Sequence, residues 1–477
     1  MSGKKVPARL RFLTRQPVRL DDTIAAIATA QQPSGLGVIR ISGPQALAAA
    51  ELIFRSSGAS SLSEAPSHQF RHGWVVDAEG WVDEVLVVVM HGPRSFTSED
   101  VVELHCHGSV LVQQTILGLL IEQGVRLAEP GEFTRRAFLK GRLDLTRVEA
   151  ISDLVHARSK GGMRVAAQQL RGRLFKSISA VQEQLIRVAS LVEASIEFPE
   201  EGESFTHRED CLRRIGHASG ELERLLAHAD QGRRLREGVA TTLIGRSNVG
   251  KSSLLNALLR ESRAIVTAVP GTTRDLIEET VQLHGLAFRL TDTAGLRETS
   301  DEVESEGIRR TRNTWADAEL VVLVVDQSQP PDAEDQRLLA EADPVRTLVV
   351  QNKADLPSGS EVQGAWRTVL QGFEAVRMSA TTGEGLELLE TRMVRRAMGG
   401  EIPRAEEVWI TNLRQQQSAQ QALDALQQAR TTLEQEAGAE YLALDLRHAL
   451  NALGAVVGET TADDLLARIF SEFCIGK

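Results

Sequence analysis

Residues 245–253, GRSNVGKSS, constrain the fold of this 477-residue chain more than any other stretch of its sequence. They fit the pattern G-x-x-x-x-G-K-S and lie between the apolar run VATTLI and the helix-like run LLNALL. In such a loop Gly245 and Gly250 let backbone N–H groups point at phosphate oxygens, while Lys251 adds a positive charge. Ser252 supplies a hydroxyl ligand for Mg²⁺. The segment therefore predicts a phosphate-binding P-loop between a strand and a helix.

Strand-like runs recur around this loop, and helix-length stretches separate them. The runs are 239–245, 286–295, 319–328 and 347–355. This alternation is typical of a doubly wound, parallel α/β sheet. We therefore predict a Ras-like P-loop domain over residues 238–398.

Two further motifs predict the contacts of the base and of the terminal phosphate. DTAG begins at Asp292, which can hold Mg²⁺ through water, and the Gly295 N–H can meet a γ-phosphate. In NKAD, Asp355 can accept hydrogen bonds from guanine N1–H and the 2-amino group, a pattern that adenine lacks. Residues 379–380 can close over the base, so GTP is favoured over ATP. The predicted GTP contacts are Asn248, Val249, Gly250, Lys251, Ser252, Ser253, Thr267, Thr272, Thr273, Asp292, Thr293, Ala294, Gly295, Asn352, Lys353, Asp355, Ser379 and Ala380.

The polar loop VTAVPGTTRD, residues 266–275, predicts a first switch in which Thr273 joins Ser252 on Mg²⁺. Leu296 stands where many small GTPases place a Gln that orients the attacking water, and its side chain neither donates nor accepts. Glu304, in the acidic run SDEVESEG, is the candidate for orienting that water. The alternative is that this run is a solvated charged loop.

Composition limits the remaining function classes. The net charge of −11 argues against a surface that coats nucleic acid broadly, so any RNA contact is local. No apolar run is long enough to span a membrane. Three widely separated cysteines give no disulfide framework, which favours free thiols and a cytoplasmic location. Residues 1–20 are basic and contain no acid; we interpret them as a disordered extension, with a mitochondrial transit peptide as the alternative.

The segments outside the P-loop domain differ in their apolar spacing. Residues 21–142 mix short β-like runs with a helix-like run and predict an α/β domain. Residues 143–237 and 399–477 have helical spacing with little strand signal. The economical arrangement is one discontinuous helical domain that carries the α/β domain as an insert; two separate helical domains are the alternative. The predicted fold class is a multidomain mixture of α/β and α elements.

Three segments are more specific than the P-loop: DTIAAIATA from residue 22, PGEFTRRAFLKGRLDLTRVEA at 130–150, and the closing FCIGK. With the inserted domain, they make the sequence similar to the MnmE (TrmE) family of tRNA-modification GTPases. The resemblance implies a folate-binding-like N-terminal domain that forms a homodimer, an MnmG-type FAD-containing partner in a heterotetramer, and potassium-stimulated hydrolysis. It implies that the pair installs an aminomethyl or carboxymethylaminomethyl group at C5 of wobble uridine 34 in tRNA. The one-carbon unit would come from 5-formyl- or 5,10-methylene-tetrahydrofolate.

Carried over residue by residue, the resemblance implies folate contacts at Arg40, Glu103, Arg142 and Lys477. It implies potassium ligands at Asn248, Thr267, Val269 and Thr272. It also implies Mg²⁺ ligands at Ser252 and Thr273 and the water-orienting carboxylate at Glu304. The residue types suit these roles. A carboxylate such as Glu103 can pair with the amino-pyrimidine edge of a pterin, and cations suit the glutamate tail of folate. The amide oxygen of Asn248 suits a monovalent cation. The alternative for Arg40 and Glu103 is the polar face of alternating strands.

Cys474 lies three residues before the terminal Lys477. Since a nearby positive charge raises the thiolate fraction, we predict that Cys474 acts at the one-carbon transfer as nucleophile or proton carrier. The alternative is that Cys474 packs as a small apolar side chain. The triplet His105-Cys106-His107 is not expected to bind zinc, because neighbouring residues on a strand point to opposite faces.

A function from a different class remains open: a ribosome-assembly or signalling GTPase whose outer domains bind RNA or protein. A basic tail would favour it. Residues 400–477 instead contain six Lys and Arg against twelve Asp and Glu. A folate-dependent transferase with a vestigial GTPase conflicts with the intact GKS, DTAG and NKAD motifs.

Overall fold

The chain divides into two compact units, residues 1–148 with 461–477, and residues 149–460. The computed structural model describes residues 21–58, 61–197, 208–261, 278–292, 315, 318–400, 407–471 and 473–476. Among the helices of these described ranges, none is long and apolar enough to cross a membrane. The predicted fold class, a multidomain mixture of α/β and α elements, is confirmed.

A seven-stranded sheet forms the core of the first unit, in the order β3-β4-β5-β6-β2-β1-β7. Its strands are β1 (Ile24–Ile27), β2 (Ser34–Ser42), β3 (Phe54–Ser56), β4 (Phe70–Val76), β5 (Trp81–Met90), β6 (Val101–Gly108) and β7 (Arg126–Leu127). Paired strands are antiparallel, except that β1 and β7 are parallel. In β6 the apolar side chains of Val102 and Leu104 point into the core, and the alternation leaves Glu103 on the opposite face.

Helices α1 (Ala46–Ile53) and α2 (Val110–Glu122) pack on the core face of this sheet. Helix α3 (Glu132–Leu139) contacts α15 (Asp463–Ser471), with the rings of Phe138 and Phe470 6.2 Å apart. The guanidinium of Arg136 in α3 is fully buried and pairs with carboxylates of Asp22, Glu99 and Glu132. A charge without solvent requires such partners. The GEFTRRAFL segment is therefore a buried structural element of this unit.

A six-stranded sheet forms the core of the second unit, in the order β13-β12-β11-β8-β10-β9. Its strands are β8 (Val239–Ile244), β9 (Glu278–Leu283), β10 (Leu286–Asp292), β11 (Leu320–Asp326), β12 (Thr347–Asn352) and β13 (Glu374–Arg377). The strands predicted from apolar runs are parallel, and every residue of β11 is buried. The sequence did not predict β9, which adds an antiparallel edge to β10. Helices α9 (Lys251–Glu261), α10 (Ala333–Glu341), α11 (Ser360–Val369) and α12 (Leu386–Ala397) accompany the sheet.

Helices from both sides of this sheet in sequence share one apolar core. The remaining helices are α4 (Leu145–Val155), α5 (Lys160–Leu170), α6 (Arg173–Glu197), α7 (Arg208–Ala227), α8 (Ala229–Glu237), α13 (Leu413–Glu434) and α14 (Ala439–Val457). Leu185 of α6, Ile215 of α7, Leu426 of α13 and Leu446 of α14 lie together in that core. The five predicted domain bounds remain predictions, and residues 461–477 group with the first unit rather than with these helices.

Helices α5 and α8 pack directly on the sheet of the second unit. Val165 of α5 and Leu235 of α8 belong to the same buried cluster as Phe288 of β10. At the start of α5 the Gly161 N–H donates to the Gly285 carbonyl oxygen at 2.8 Å, in the turn between β9 and β10. A Cβ on Gly161 would lie 2.6 Å from that oxygen, so only glycine permits the contact.

Candidate functional sites

The P-loop follows β8 and leads into α9, as the sequence predicts. Gly245 and Gly250 have φ of +144° and +100°, a region that favours glycine. Added Cβ atoms at these positions would lie 2.2 Å from the Val324 oxygen and 2.2 Å from the Asn352 amide nitrogen, respectively. Because β11 and β12 approach the loop this closely, neither position has room for a side chain larger than that of glycine.

Lys251 is the first residue of α9, and its ammonium group contacts the first two residues of the loop. Its Nζ donates to the carbonyl oxygens of Gly245 at 2.7 Å and Arg246 at 2.6 Å. Ser252 and Ser253 are exposed on the first turn of α9. Exposed hydroxyls and a cation at a helix N-terminus fit phosphate and Mg²⁺ binding.

Asn352, at the end of β12, joins two loops of the predicted site. Its Nδ2 donates to the Val249 carbonyl oxygen at 2.8 Å, and its Oδ1 accepts from the Ala380 N–H at 2.9 Å. The side chain is 2% exposed. Asn352 therefore holds the P-loop against the 379–380 loop, a bridging role that the motif alone did not indicate.

Lys353 has φ of +64°, and its Nζ donates to Asp326 Oδ2 at 2.7 Å. Burial of Asp326 opposes its ionisation, but hydrogen bonds from Lys353 and Ser328 outweigh that effect and hold the pKa of Asp326 below its usual range. Sequence reasoning missed Asp326, although an acid that ends a fully apolar strand beside NKAD is a usable signal. The ion pair fixes the backbone that leads to Asp355.

Asp355 and Ser379, two of the predicted base contacts, lie in the loops that follow β12 and β13. Asp355 is exposed in the loop after β12. Ser379 is fully buried, and its Oγ accepts from the N–H groups of Thr381 and Thr382 at 3.3 and 3.2 Å. The Ala354 N–H donates to the Met378 oxygen at 3.0 Å, which joins the two loops again.

Arg246, a variable position of the P-loop motif, was also missed. Its guanidinium pairs with Asp332, the N-cap of α10, and its Nε lies 3.4 Å from Asp335. Asp332 and Asp335 form a capping box at the start of that helix. The pairing attaches the P-loop to α10, a long-range contact without a sequence signal.

Arg40 and Glu103 are directly opposite each other on β2 and β6 in the first unit. The Arg40 Nε donates to Glu103 Oε1 at 2.7 Å. The guanidinium carbon of Arg40 lies 5.6 and 5.7 Å from the ring centroids of Phe96 and Phe133, and that of Arg142 lies 5.4 Å from the Phe96 ring centroid. Two predicted folate contacts, Arg40 and Arg142, thus lie over aromatic rings, and Arg40 also holds the third, Glu103.

The carboxyl-terminal segment reaches this cluster. Arg40 Nη1 donates to the Gly476 carbonyl oxygen at 3.2 Å. Gly476 has φ of +96°, and a Cβ there would lie 2.4 Å from the Ile27 oxygen. Two residues earlier, Cys474 is a free, exposed thiol. The structure therefore brings the closing motif to the Arg40 and Glu103 pair.

The neighbouring residues of β6 have partners other than a metal. His105 Nε2 lies 3.5 Å from Glu103 Oε2, and its ring packs against Phe70 with centroids 5.1 Å apart. His107 Nδ1 is 2.7 Å from Asp83. Burial raises the pKa of the Cys106 thiol to about 11, which leaves it protonated at neutral pH.

Comparisons with known proteins cover nearly the whole chain. Residues 23–142 match the family model described as GTP-binding protein TrmE N-terminus, and residues 145–474 match the one described as MnmE helical domain. The tRNA modification GTPase MnmE of Symbiobacterium thermophilum is 47% identical over 459 residues, which cover 96% of this chain and 100% of the relative. The chain belongs to the MnmE family. The protein of the same name from Geobacter metallireducens is 44% identical over 461 residues, with 96% and 100% coverage.

Among solved structures, the G domain of the FeoB iron transporter from T. maritima is 31% identical to this MnmE-family chain. The match covers 33% of this chain and 97% of the FeoB chain, with a TM-score of 0.24. These matches confirm the resemblance to the MnmE family inferred from the sequence motifs. They also confirm the prediction that the chain is a GTPase.

Several predicted site residues of this MnmE-family chain lie outside the described residues. They are Thr267, Val269, Thr272, Thr273, Thr293, Ala294, Gly295, Glu304 and Lys477. Asp292 ends β10, where its backbone lies opposite Leu243 of β8. The roles assigned to all these residues remain predictions.

Proposed function

We propose that this chain hydrolyses GTP and couples hydrolysis to the modification of tRNA. In full, the proposed reaction installs an aminomethyl or carboxymethylaminomethyl group at C5 of wobble uridine 34, together with an MnmG-type FAD-containing partner. The names of the relatives support the tRNA substrate.

The observation that carries the GTPase part is the position of Asn352. One buried amide fixes the P-loop through Val249 and the base-side loop through Ala380. A bound nucleotide would contact both loops on their solvent-exposed side. The exposed Asp355 would then face the guanine edge. Lys251 would neutralise the β- and γ-phosphates, and Ser252 would hold Mg²⁺ with Thr273.

We propose that K⁺ binds at Asn248, Thr267, Val269 and Thr272 and that Glu304 orients the water. Asn248 has φ of +62°, which places it in a left-handed turn within the P-loop. Asn tolerates that conformation because its short polar side chain bonds locally. Leu296 leaves the position after DTAG without a polar group, which supports an acid elsewhere as the water-orienting residue.

The residues around Arg40 fit a reduced folate. When bound, that group supplies the one-carbon unit. The Glu103 carboxylate can accept hydrogen bonds from the amino-pyrimidine edge, and Arg40 holds that carboxylate in place. His105 Nε2 is buried without a hydrogen bond and lies 3.5 Å from Glu103 Oε2, so one polar atom beside this carboxylate is left without a hydrogen-bond partner. Arg142 and Lys477 would contact the glutamate tail.

We propose that Cys474 acts at or beside the one-carbon transfer, as nucleophile or proton carrier. Its exposed thiol lies two residues from a carbonyl group that accepts from Arg40. An accessible thiol suits this chemistry better than the buried thiol of Cys106 does.

We also propose a homodimer formed through the N-terminal domain, in a cytoplasmic enzyme. The large apolar side chains of Phe70, Trp81 and Leu86 on β4 and β5 are exposed. Such a surface favours association with another protein surface.

Two measurements test the proposal. GTP turnover in K⁺ should exceed turnover in Na⁺ at equal ionic strength, and equal rates would refute the cation site. Calorimetry should show binding of GTP but not ATP, and of a reduced folate. GTP binding without folate binding would favour the alternative, a ribosome-assembly or signalling GTPase.

A further inference from the structure

One stretch of the helical region is basic in an acidic protein. Between Asp153 and Glu183 the sequence has no acidic residue, whereas the whole chain has a net charge of −11. The cations of this stretch are Arg158, Lys160, Arg164, Arg171, Arg173 and Lys176, and all six are exposed. This local excess differs from the acidic 400–477 region.

Helix geometry places three of these cations on one face. Lys160, Arg164 and Arg171 are four and seven residues apart, so they project within about 40° of one another. The buried residues Gly162, Ala166 and Gln169 of α5 lie about 140° to 180° around the helix from the mean direction of these cations. At 1.5 Å per residue, the three cations extend over roughly 16 Å of helix.

Two further exposed cations follow at the start of the next helix. Gly172 has φ of +80° and ends α5, and α6 begins at the following residue. Arg173 and Lys176 lie three apart on the first turn of α6, while Leu174 is buried. We call Lys160, Arg164 and Arg171, the three cations on this face of α5, the cationic strip.

The strip differs from the other charged surface of the same helices. Arg187 and Arg430, exposed on other helices of this unit, each face an acid on the same helix, 3.3 Å from Glu183 and 2.8 Å from Glu434. Within the described residues, Lys160, Arg164 and Arg171 form no ion pair. A solvated face with mixed charges would show such pairs.

The acids of α4 and α8 already have cationic partners. On α4, Asp153 pairs with Arg236 at 2.7 Å and Glu149 with Arg414 at 2.8 Å. On α8, Asp230 and Glu237 each have an arginine within 3.8 Å. Within the part of the chain that the structure describes, the carboxylates of α4 and α8 therefore do not neutralise the strip.

We propose that the cationic strip binds the phosphate backbone of the tRNA substrate, an inference that rests on the proposed function. Unpaired cations spaced along a helix suit a polyanion with regularly spaced charges. The segment has no exposed Phe, Tyr or Trp side chain for base stacking; Phe175 is half-buried. The strip therefore positions RNA without reading its sequence.

The test uses the full-length chain and a fluorescently labelled, unmodified tRNA transcript. The variant combines Lys160→Gln, Arg164→Gln and Arg171→Gln, which preserve helix-compatible side chains. The matched control combines Arg187→Gln, Arg213→Gln and Arg430→Gln, since these arginines are exposed on the same set of helices but paired with acids. Circular dichroism checks that both variants retain the helix content of the unmodified chain.

Loss of three phosphate contacts should weaken tRNA binding by about tenfold or more near 0.1 M salt and reduce the slope of log K against log[salt] by about 2 to 3. The control should bind as the unmodified chain does. Unchanged affinity and slope in the strip variant would overturn the proposal. Competition by an acidic peptide as effective as competition by RNA would also overturn it, in favour of a protein partner. If the unmodified chain binds no tRNA even with its flavoprotein partner, the proposed function itself fails.

Discussion

The contact between Gly131 and the carboxyl-terminal segment supports a quantitative prediction. Gly131 precedes α3 with φ of +67°, and a Cβ added there would lie 2.6 Å from the Phe470 oxygen and 3.0 Å from Phe473 Cβ. A real Cβ does not approach an oxygen so closely. Gly131→Ala therefore forces the segment to move away from α3.

The free-energy cost of Gly131→Ala has two separable parts. Alanine in the left-handed region costs about 1 to 2 kcal/mol wherever it occurs. Withdrawal of the segment also exposes parts of Phe470 and Phe473, which are 2% and 6% exposed. Since full burial of a large apolar side chain contributes about 1.5 to 3 kcal/mol, partial loss from both gives about 2 kcal/mol. Local detachment should then be roughly 30-fold more frequent.

Limited trypsin digestion after the exposed Arg468, followed by mass spectrometry of the released peptide, measures that detachment. Gly124→Ala is the matched control, because Gly124 has φ of +86° and nothing within 4 Å of an added Cβ. We expect about 30-fold faster cleavage in Gly131→Ala than in Gly124→Ala. Equal cleavage rates in the two variants would refute the reasoning.

Three further predictions concern other parts of the chain. Asn352→Ala removes two buried hydrogen bonds and should weaken GTP binding by about 2 kcal/mol, or roughly 30-fold, in a fluorescent-nucleotide titration; unchanged binding would contradict the bridging role. Burial raises the pKa of Asp153 to about 6 although Arg236 opposes it. Between about pH 4 and 6 this carboxyl is protonated in the folded chain but ionised in the unfolded chain, so protonation stabilises the folded state as the pH falls. The second unit should therefore be about 1 kcal/mol more stable at pH 5 than at pH 7. Asp153→Asn should abolish that difference in thermal unfolding, and an unaltered pH dependence would exclude this carboxyl as its source. Cys474→Ser should hydrolyse GTP normally but fail to modify tRNA; normal modification would remove Cys474 from the reaction.

Local patterns predicted the parts of the second unit that depend on short stretches of chain. The P-loop glycines, Lys251 and the NKAD loop lie at strand ends because a parallel sheet places its carboxyl ends at one edge. The edge strand β9 was missed because EETVQL carries little apolar signal. The ion pair of Arg246 with Asp332 was missed because it joins residues 86 positions apart.

In the first unit, the resemblance indicated Arg40 and Glu103, but not their partners. Their direct pairing depends on the register of β2 against β6, because a slip of either strand by one residue would turn its side chain to the opposite face. The approach of Gly476 to Arg40 joins residues 436 positions apart, and no local pattern encodes it. Sequence reasoning thus found the residue types of the site, while long-range contacts decided its geometry.

The turn between β9 and β10 has a mechanical consequence. Its Gly285 carbonyl is hydrogen-bonded to Gly161, and β10 continues for seven residues to Asp292, the predicted Mg²⁺ contact. A rigid strand transmits a shift at one end to the other, and two glycines in close contact leave no side chain to absorb it. A small sliding of β10 on GTP hydrolysis would therefore push or pull the first turn of α5, and a bulkier residue at Gly161 would keep that turn permanently displaced.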